Sequence, residues 1–226
     1  MSITASTVKE VAFDLGADLC GIAQIERFED APAGFHPKDV LPDCRSVIVF
    51  GVRFLKSSLY AKSTIPYTTV RNELSSRLNS IAVKLSEYLE DQGTAAVPMN
   101  TTGPDEWDEK TQKLRGIISL KHAAVQAGLG KIGKNTLLVN DKFGNMIWLN
   151  GVFVAEALEA DPVAEYSGCI ENCRLCLNSC PVKALDGISM DQQKCWNHAF
   201  GEHNGGEWRI KCFTCRKICP NGLGIK

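Results

Sequence analysis

Residues 169–181 read CIENCRLCLNSCP, and residues 212–220 read CFTCRKICP. Both stretches end in Cys-x3-Cys-Pro, which is also how the bacterial ferredoxin run C-x2-C-x2-C-x3-C-P ends. The proline has no N–H, and its fixed φ turns the chain away from the cysteines. From about Tyr166 onward we therefore expect short, irregular elements whose arrangement is set by metal binding.

The chain contains ten cysteines, and eight of them fall between Cys169 and Cys219. In a reducing compartment such a cluster indicates metal binding and not a disulfide framework. Because the fourth cysteine of a ferredoxin run ligates the other cluster, the spacing predicts two [4Fe–4S] clusters with crossed ligands. One set is Cys169, Cys173, Cys176 and Cys219, and the other is Cys180, Cys195, Cys212 and Cys215. The isolated Cys20 and Cys44 are expected in the apolar core.

Zinc is the alternative metal. The pairs Cys173-x2-Cys176 and Cys212-x2-Cys215 could form one four-cysteine zinc site. That assignment leaves four cysteines unused or requires a second zinc, and it ignores both Cys-x3-Cys-Pro endings. The first gap, Cys169-x3-Cys173, is one residue longer than in the ferredoxin run. The pattern as a whole favours the two iron–sulfur clusters.

The remaining composition is that of an ordinary globular protein, with 44% hydrophobic residues among 226. The 25 basic and 26 acidic residues give no support for nucleic-acid binding. The N-terminus shows no secretory signal, and the apolar runs are too short to span a bilayer. We therefore expect a cytoplasmic protein that does not enter the membrane.

Hydrophobic periodicity predicts an α+β protein with two domains, at residues 1–165 and 166–226, divided near Asp161-Pro162. The predicted helices cover residues 6–18, 71–93 and 121–127. The predicted strands cover residues 19–25, 46–54, 95–100, 116–120 and 146–154. The polar segment at residues 101–113 is expected to be a surface loop.

Residues 127–136, AGLGKIGKNT, contain both G-x-G-x-x-G and G-x-x-x-x-G-K. A P-loop requires Ser or Thr after the lysine, where this chain has Asn135, and both nucleotide motifs follow directly on a strand. The preceding KHAAVQA has a helical pattern, so neither motif is supported. The loop could hold an anion or an amide-rich ligand through backbone N–H groups, or it could simply pack two elements together.

The segment HAAVQAGLGKIGKNTLLVNDKFGNMIWLNGVFVAEALEAD, followed by the two cysteine runs, resembles epoxyqueuosine reductases and the related corrinoid reductive dehalogenases. DLGADLCGIAQI and HPKDVLPDCRSVIVFGVRF are similar to the N-terminal parts of those enzymes, so the resemblance covers nearly all of the chain. It implies a nitroreductase-like α/β domain that holds cobalamin, followed by a ferredoxin-like domain with two [4Fe–4S] clusters.

The resemblance further implies that electrons pass through the clusters to a corrinoid, which reduces a substrate that the sequence does not identify. An external donor protein such as a ferredoxin or flavodoxin would supply the electrons. The other partner would be a small-molecule substrate or a corrinoid protein. The residues that match the corrinoid loop are Gly128, Gly130, Gly133, Lys134, Asn135 and Thr136. The alternative is an electron-transfer or corrinoid-reactivating protein without a substrate of its own.

Three departures from the family pattern argue against a tRNA substrate. In those enzymes a proton-donating Asp precedes the glycine loop, and the matching position here is near Leu114, which cannot donate a proton. No helical-repeat extension follows Cys219 in this sequence. Lys131 stands where those enzymes usually have an aromatic residue. The candidates to replace the donor are His122 and one of four nearby acids, Asp105, Glu106, Asp108 or Glu109.

Overall fold

The computed structural model describes residues 3–109, 113–202 and 206–225. Residues 110–112, part of the predicted surface loop, lie outside the described residues. The helices are α1 (Ala5–Asp14), α2 (Ile65–Asp91), α3 (Leu120–Gln126), α4 (Leu175–Asn178), α5 (Gln192–Ala199) and α6 (Thr214–Lys217). The strands are β1 (Leu19–Gln24), β2 (Ser46–Arg53), β3 (Ala96–Pro98), β4 (Glu106–Asp108), β5 (Lys113–Arg115), β6 (Lys131–Ile132), β7 (Leu138–Val139), β8 (Ile147–Val154), β9 (Phe200–Gly201) and β10 (Arg209–Ile210).

The chain forms two compact units, and both are assembled from separate segments. Unit 1 comprises Met1–Val52, Ser75–Leu129 and Trp148–Ala164. Unit 2 comprises Arg53–Leu74, Gly130–Ile147 and Glu165–Lys226. The last change of unit, after Ala164, falls beside the predicted boundary at residue 165. The sequence did not indicate that two earlier segments join the cysteine-rich part.

Unit 1 is built on a four-stranded sheet in the order β1-β2-β8-β3, with β1 antiparallel to β2 and β3 antiparallel to β8. The central strand β2 is buried along seven of its eight residues, as expected where apolar groups cover both faces of a sheet. Its Ile48 and Phe50 are fully buried, as are Leu78 and Leu85 from α2. The fold class is therefore α+β, as predicted.

Two segments differ from the sequence prediction. Residues 116–120 were predicted to be a strand, but residues 116–119 form none and Leu120 begins α3. The predicted loop at 101–113 instead contains β4, which pairs with β5. Arg115 donates to Glu106 Oε2 at 2.9 Å across this short hairpin. Pairing between two strands of three residues is too short to leave a recognisable alternation in the sequence.

Gly21 in β1 marks a close approach of the backbone that follows α3. A Cβ at this position would lie 2.2 Å from the carbonyl oxygen of Ala127. Only glycine fits such a contact without displacing one of the two elements. The next residue, Gly128, has a left-handed φ of 75°. A Cβ on Gly128 would lie 2.2 Å from the carbonyl oxygen of Pro162.

We predict that Gly21→Ala lowers the free energy of unfolding by about 1–3 kcal/mol, because the added methyl group overpacks a backbone contact. Gly93→Ala is the matched control. Gly93 has φ 87° but open space around its Cβ position, so only backbone strain of about 1 kcal/mol is expected. Urea unfolding followed by circular dichroism measures both changes. Equal effects of the two substitutions would contradict the steric explanation.

Candidate metal centre

Unit 2 brings the two cysteine runs together through two short helices. Cys176 lies in α4 and Cys215 in α6, and these helices contact each other. Each has only four residues, because each run must turn sharply to present several thiols. The runs therefore meet at their helices, although they are separated by more than 30 residues in sequence.

Four cysteine thiols line a small cavity in unit 2. The cavity measures about 20 Å³ and its cysteines are Cys169, Cys173, Cys176 and Cys219. Burial raises the pKa of Cys219, and the neighbouring Cys169, Cys176 and Cys173 raise it further. Three of these cysteines come from the first run and one from the second run. This is the first set predicted from the crossed ligation rule.

The charges of the other four cysteines act on one another and, through Cys215, on Cys176. Burial raises the pKa of Cys195, with further contributions from Cys212 and Cys180. Burial also raises the pKa of Cys215 to about 11, opposed by Arg216 and reinforced by Cys195, Cys212 and Cys176. Metal ligation requires the thiolate, so assembly of a metal centre here would release protons.

Across residues 3–109, 113–202 and 206–225, no three His, Cys, Asp or Glu side chains converge closely enough to surround a single metal ion. Backbone N–H groups donate to sulfurs of the cysteine runs. Lys134 N–H donates to Cys169 Sγ at 3.2 Å, and Ala184 N–H donates to Cys180 Sγ at 3.3 Å. Such donors stabilise negative charge on sulfur.

The glycine loop lies against the cysteine runs. The strands β6 and β7 form a short hairpin whose turn contains Lys134 and Asn135. Lys134 Nζ donates to Cys173 O at 3.0 Å, and Asn135 Nδ2 donates to Cys215 O at 3.2 Å. One turn thus holds a backbone carbonyl from each run. No spacing rule connects the hairpin to cysteines 35 or more residues away, so this role carries no signal in the sequence.

The remaining residues of the predicted corrinoid loop serve the turn itself. A Cβ on Gly130 would lie 2.4 Å from Val139 O, and a Cβ on Gly133 would lie 3.0 Å from Asn135 Oδ1. Thr136 adopts a left-handed φ of 59° and its N–H donates to Gly133 O at 2.8 Å. Close contacts within the protein therefore account for these glycines. That the loop contacts a corrinoid stays a prediction.

The predicted catalytic candidates lie in unit 1. His122 Nδ1 shares a 2.7 Å hydrogen bond with Ser119 Oγ, and burial, followed by the charge of Lys121, lowers the His122 pKa. A cavity of about 110 Å³ lies nearby in sequence and is lined by residues from two segments, 99–105 and 116–120. Asp105 lines this cavity, whereas Glu106 is paired with Arg115 and His122 is not among the lining residues.

The α+β fold and the two cysteine runs that meet in unit 2 fit the family that the sequence resembles. The comparisons with known proteins agree. No protein-family model matches the chain. The epoxyqueuosine reductase of Gloeobacter violaceus is 29% identical over 95% of this chain and 68% of that protein. A tetrachloroethene reductive dehalogenase of Desulfitobacterium hafniense is 28% identical over 90% of this chain and 36% of that protein.

Solved structures show the same fold. An epoxyqueuosine reductase crystallised with a tRNA stem loop superposes with a TM-score of 0.67 at 18% identity, over 96% of this chain and 64% of that one. A reductive dehalogenase described in connection with B12-dependent dehalogenation superposes with a TM-score of 0.68 at 19% identity, over 96% and 31%. The chain is thus a relative of the epoxyqueuosine reductases and reductive dehalogenases. It spans about two thirds of the former structure and one third of the latter.

In the part of the chain that the structure describes, no helix is both long and apolar enough to cross a membrane.

We predict that Asn135→Ala lowers the free energy of unfolding by about 1–3 kcal/mol, because buried partners lose their hydrogen bonds. Asn135 is 3% exposed, donates to Cys215 O and accepts from Leu137 N–H. The control is Asn72→Ala on the exposed side of α2, where a change within about 0.5 kcal/mol is expected. Urea unfolding measures both. A loss no larger than the control would show that the turn does not support the second run.

Proposed function

We propose that this chain is an iron–sulfur oxidoreductase that carries electrons through two [4Fe–4S] clusters. The observation that carries the proposal is that Cys169, Cys173 and Cys176 of the first run line one cavity together with Cys219 of the second run. A pair of bacterial ferredoxin clusters uses this crossed ligation. Each cluster, when bound, supplies a one-electron carrier.

The residues present fit such clusters. Each set offers four thiols, the number that one cubane binds. The first set is Cys169, Cys173, Cys176 and Cys219, and the second is Cys180, Cys195, Cys212 and Cys215. Lys134 N–H and Ala184 N–H supply the hydrogen bonds to sulfur by which proteins adjust cluster potential. The chain's own contribution is thus to hold the thiols, direct donors at them and limit access of water.

A corrinoid as electron acceptor is proposed from the comparisons, since one structural relative is described as B12-dependent. The cavity of unit 1 does not by itself fit one. Its volume of about 110 Å³ is below the roughly 300–1,000 Å³ usual for pockets that hold drug-sized ligands, and a corrin macrocycle is larger still. The corrinoid therefore enters the proposal only as a candidate acceptor, without an assigned substrate.

After anaerobic reconstitution we predict about eight iron and eight sulfide per chain, because eight cysteines supply four ligands to each of two clusters. Chemical analysis of iron, acid-labile sulfide and zinc measures this. Zinc without sulfide would refute the cluster proposal.

The same preparation tests the crossed grouping. Cys180→Ser should disturb the cluster whose other ligands are Cys195, Cys212 and Cys215 and leave the other cluster intact, about halving the iron content. Cys20→Ser is the control, because Cys20 lies in unit 1 and burial raises its pKa to about 12. Disturbance of the cluster held by Cys169, Cys173 and Cys176 in place of the other would show that each run closes its own cluster. Electron paramagnetic resonance of the reduced protein distinguishes these outcomes.

Cobalamin binding is tested separately by titrating the cluster-loaded protein with hydroxocobalamin, ATP and NADH. We predict no appreciable nucleotide binding, because the structure places α3 and not a strand before the glycine loop. Uptake of one equivalent of cobalamin is expected from the comparisons alone. Calorimetry and absorbance after gel filtration measure binding. Uptake of a nucleotide without cobalamin would restore the nucleotide motifs, and uptake of neither would remove the corrinoid from the proposal.

A further inference from the structure

Unit 2 carries a strongly uneven distribution of charge. Its three segments contain 15 Lys and Arg but only 8 Asp and Glu. Two stretches of the unit combine four basic residues each with no acidic residue. Residues 53–72 include four basic residues, and residues 208–220 include four more. All acidic residues of the unit therefore lie in its other stretches.

The two acid-free stretches pack against each other. The rings of Tyr67 and Phe213 stack with centroids 4.0 Å apart, and Ile210 N–H donates to Thr68 Oγ1 at 3.0 Å. At one end Arg71 lies 5.5 Å from the centroid of the Trp208 ring. Together residues 53–72 and 208–220 form one surface, which we call the basic face.

Charged and apolar groups are both exposed on the basic face. Its exposed basic residues are Arg53, Lys56, Lys62 and Lys217. The face also carries exposed apolar side chains, namely Leu55, Tyr60, Ile65, Trp208 and Ile218, which are 40–59% exposed. Lys217 Nζ lies 5.5 Å from the centroid of the Tyr60 ring. Apolar side chains surrounded by charges of one sign are typical of a surface that binds another protein.

The basic face also contains three of the eight cysteines. Cys212 and Cys215 belong to the second group, and Cys219 belongs to the first. A molecule bound to the face would therefore approach chain segments that ligate both proposed clusters. Nucleic acid could also bind this face, because Tyr60 and Trp208 are exposed aromatic rings on which bases can stack. The exposed aliphatic side chains of Leu55, Ile65 and Ile218 offer no such surface and favour a protein partner.

We propose that the basic face is the docking site for a small acidic electron-carrier protein, of the flavodoxin or plant-type ferredoxin kind. This inference rests on the function proposed above. In the complex one electron passes from the reduced carrier to a cluster, so the carrier is oxidised and the cluster reduced by one electron, and no proton or group is transferred. Opposite charges steer the encounter, and the small apolar centre suits a transient interface.

The experiment measures the reduction of the cluster-loaded protein by flavodoxin hydroquinone in a stopped-flow spectrometer. Lys56→Glu/Lys62→Glu should lower the second-order rate constant about tenfold or more at an ionic strength of about 0.01 M. The difference should largely disappear at about 0.5 M salt, where screening is strong. Lys38→Glu/Lys84→Glu changes the net charge equally at exposed positions of unit 1 and should leave the rate within about twofold.

Dithionite, a small inorganic reductant, serves as the second control and should reduce all three proteins alike. If flavodoxin reduces both double variants at the same rate and their clusters are intact, the docking site is refuted but the proposed function is not. Absence of any cluster chromophore after reconstitution would overturn the proposed function and the docking site with it. A tRNA stem loop that binds the wild type but not Lys56→Glu/Lys62→Glu, with an unchanged flavodoxin rate, would show that the face binds RNA instead.

Discussion

The constraint on which unit 2 depends is that two short cysteine runs, far apart in sequence, have to be held next to each other. Apolar burial alone cannot do this, because a four-residue helix offers little surface to a core. Side-chain amides provide the remaining support. Asn221 Nδ2 donates to Gly168 O at 3.3 Å, and Asn145 Nδ2 donates to Arg216 O at 3.4 Å. With Asn135 they fix backbone beside the cysteines, where a buried, directional bond sets position more closely than packing does.

Unit 1 is organised differently, around the apolar faces of its sheet. At its C-terminal end, however, polar contacts of Asp161 hold the chain in place. Asp161 accepts from Ile22 N–H at 2.8 Å and pairs with Lys9, while its carbonyl accepts from Arg27 at 2.7 Å. The segment that leaves the unit is thereby attached to β1 and α1 just before Ala164. The Asp-Pro pair that suggested a linker in the sequence is thus firmly held.

The sequence predicted those features that depend on local rules. The period of apolar residues located β1, β2, β8 and most of α2, and Gly93 marked the end of that helix with φ 87°. The helix start at Ile65 was missed by six residues, because Pro66 and the β-branched Thr68 and Thr69 obscure it, although proline is well accommodated in a first helical turn. The crossed grouping of the cysteines, which follows from a rule about spacing, stays a prediction. The bonds from Lys134 and Asn135 to those runs could not be predicted, since they join parts of the chain that share no motif.

Charge shows how an average over the chain can conceal a functional property. The balance of charge over the whole chain gave no support for nucleic-acid binding, yet unit 1 holds 10 basic and 18 acidic residues while unit 2 holds 15 and 8. Only the assignment of residues 53–72 to the cysteine-rich unit makes the excess visible, because those residues precede the cysteines by about a hundred positions. The excess also has a structural reason. Clusters ligated by four thiolates are anionic, and basic residues nearby offset that charge. Such an offset does not require the basic groups to be exposed or interleaved with apolar side chains. The exposure of Lys56, Lys62 and Tyr60 is therefore the part of the pattern that points to a partner.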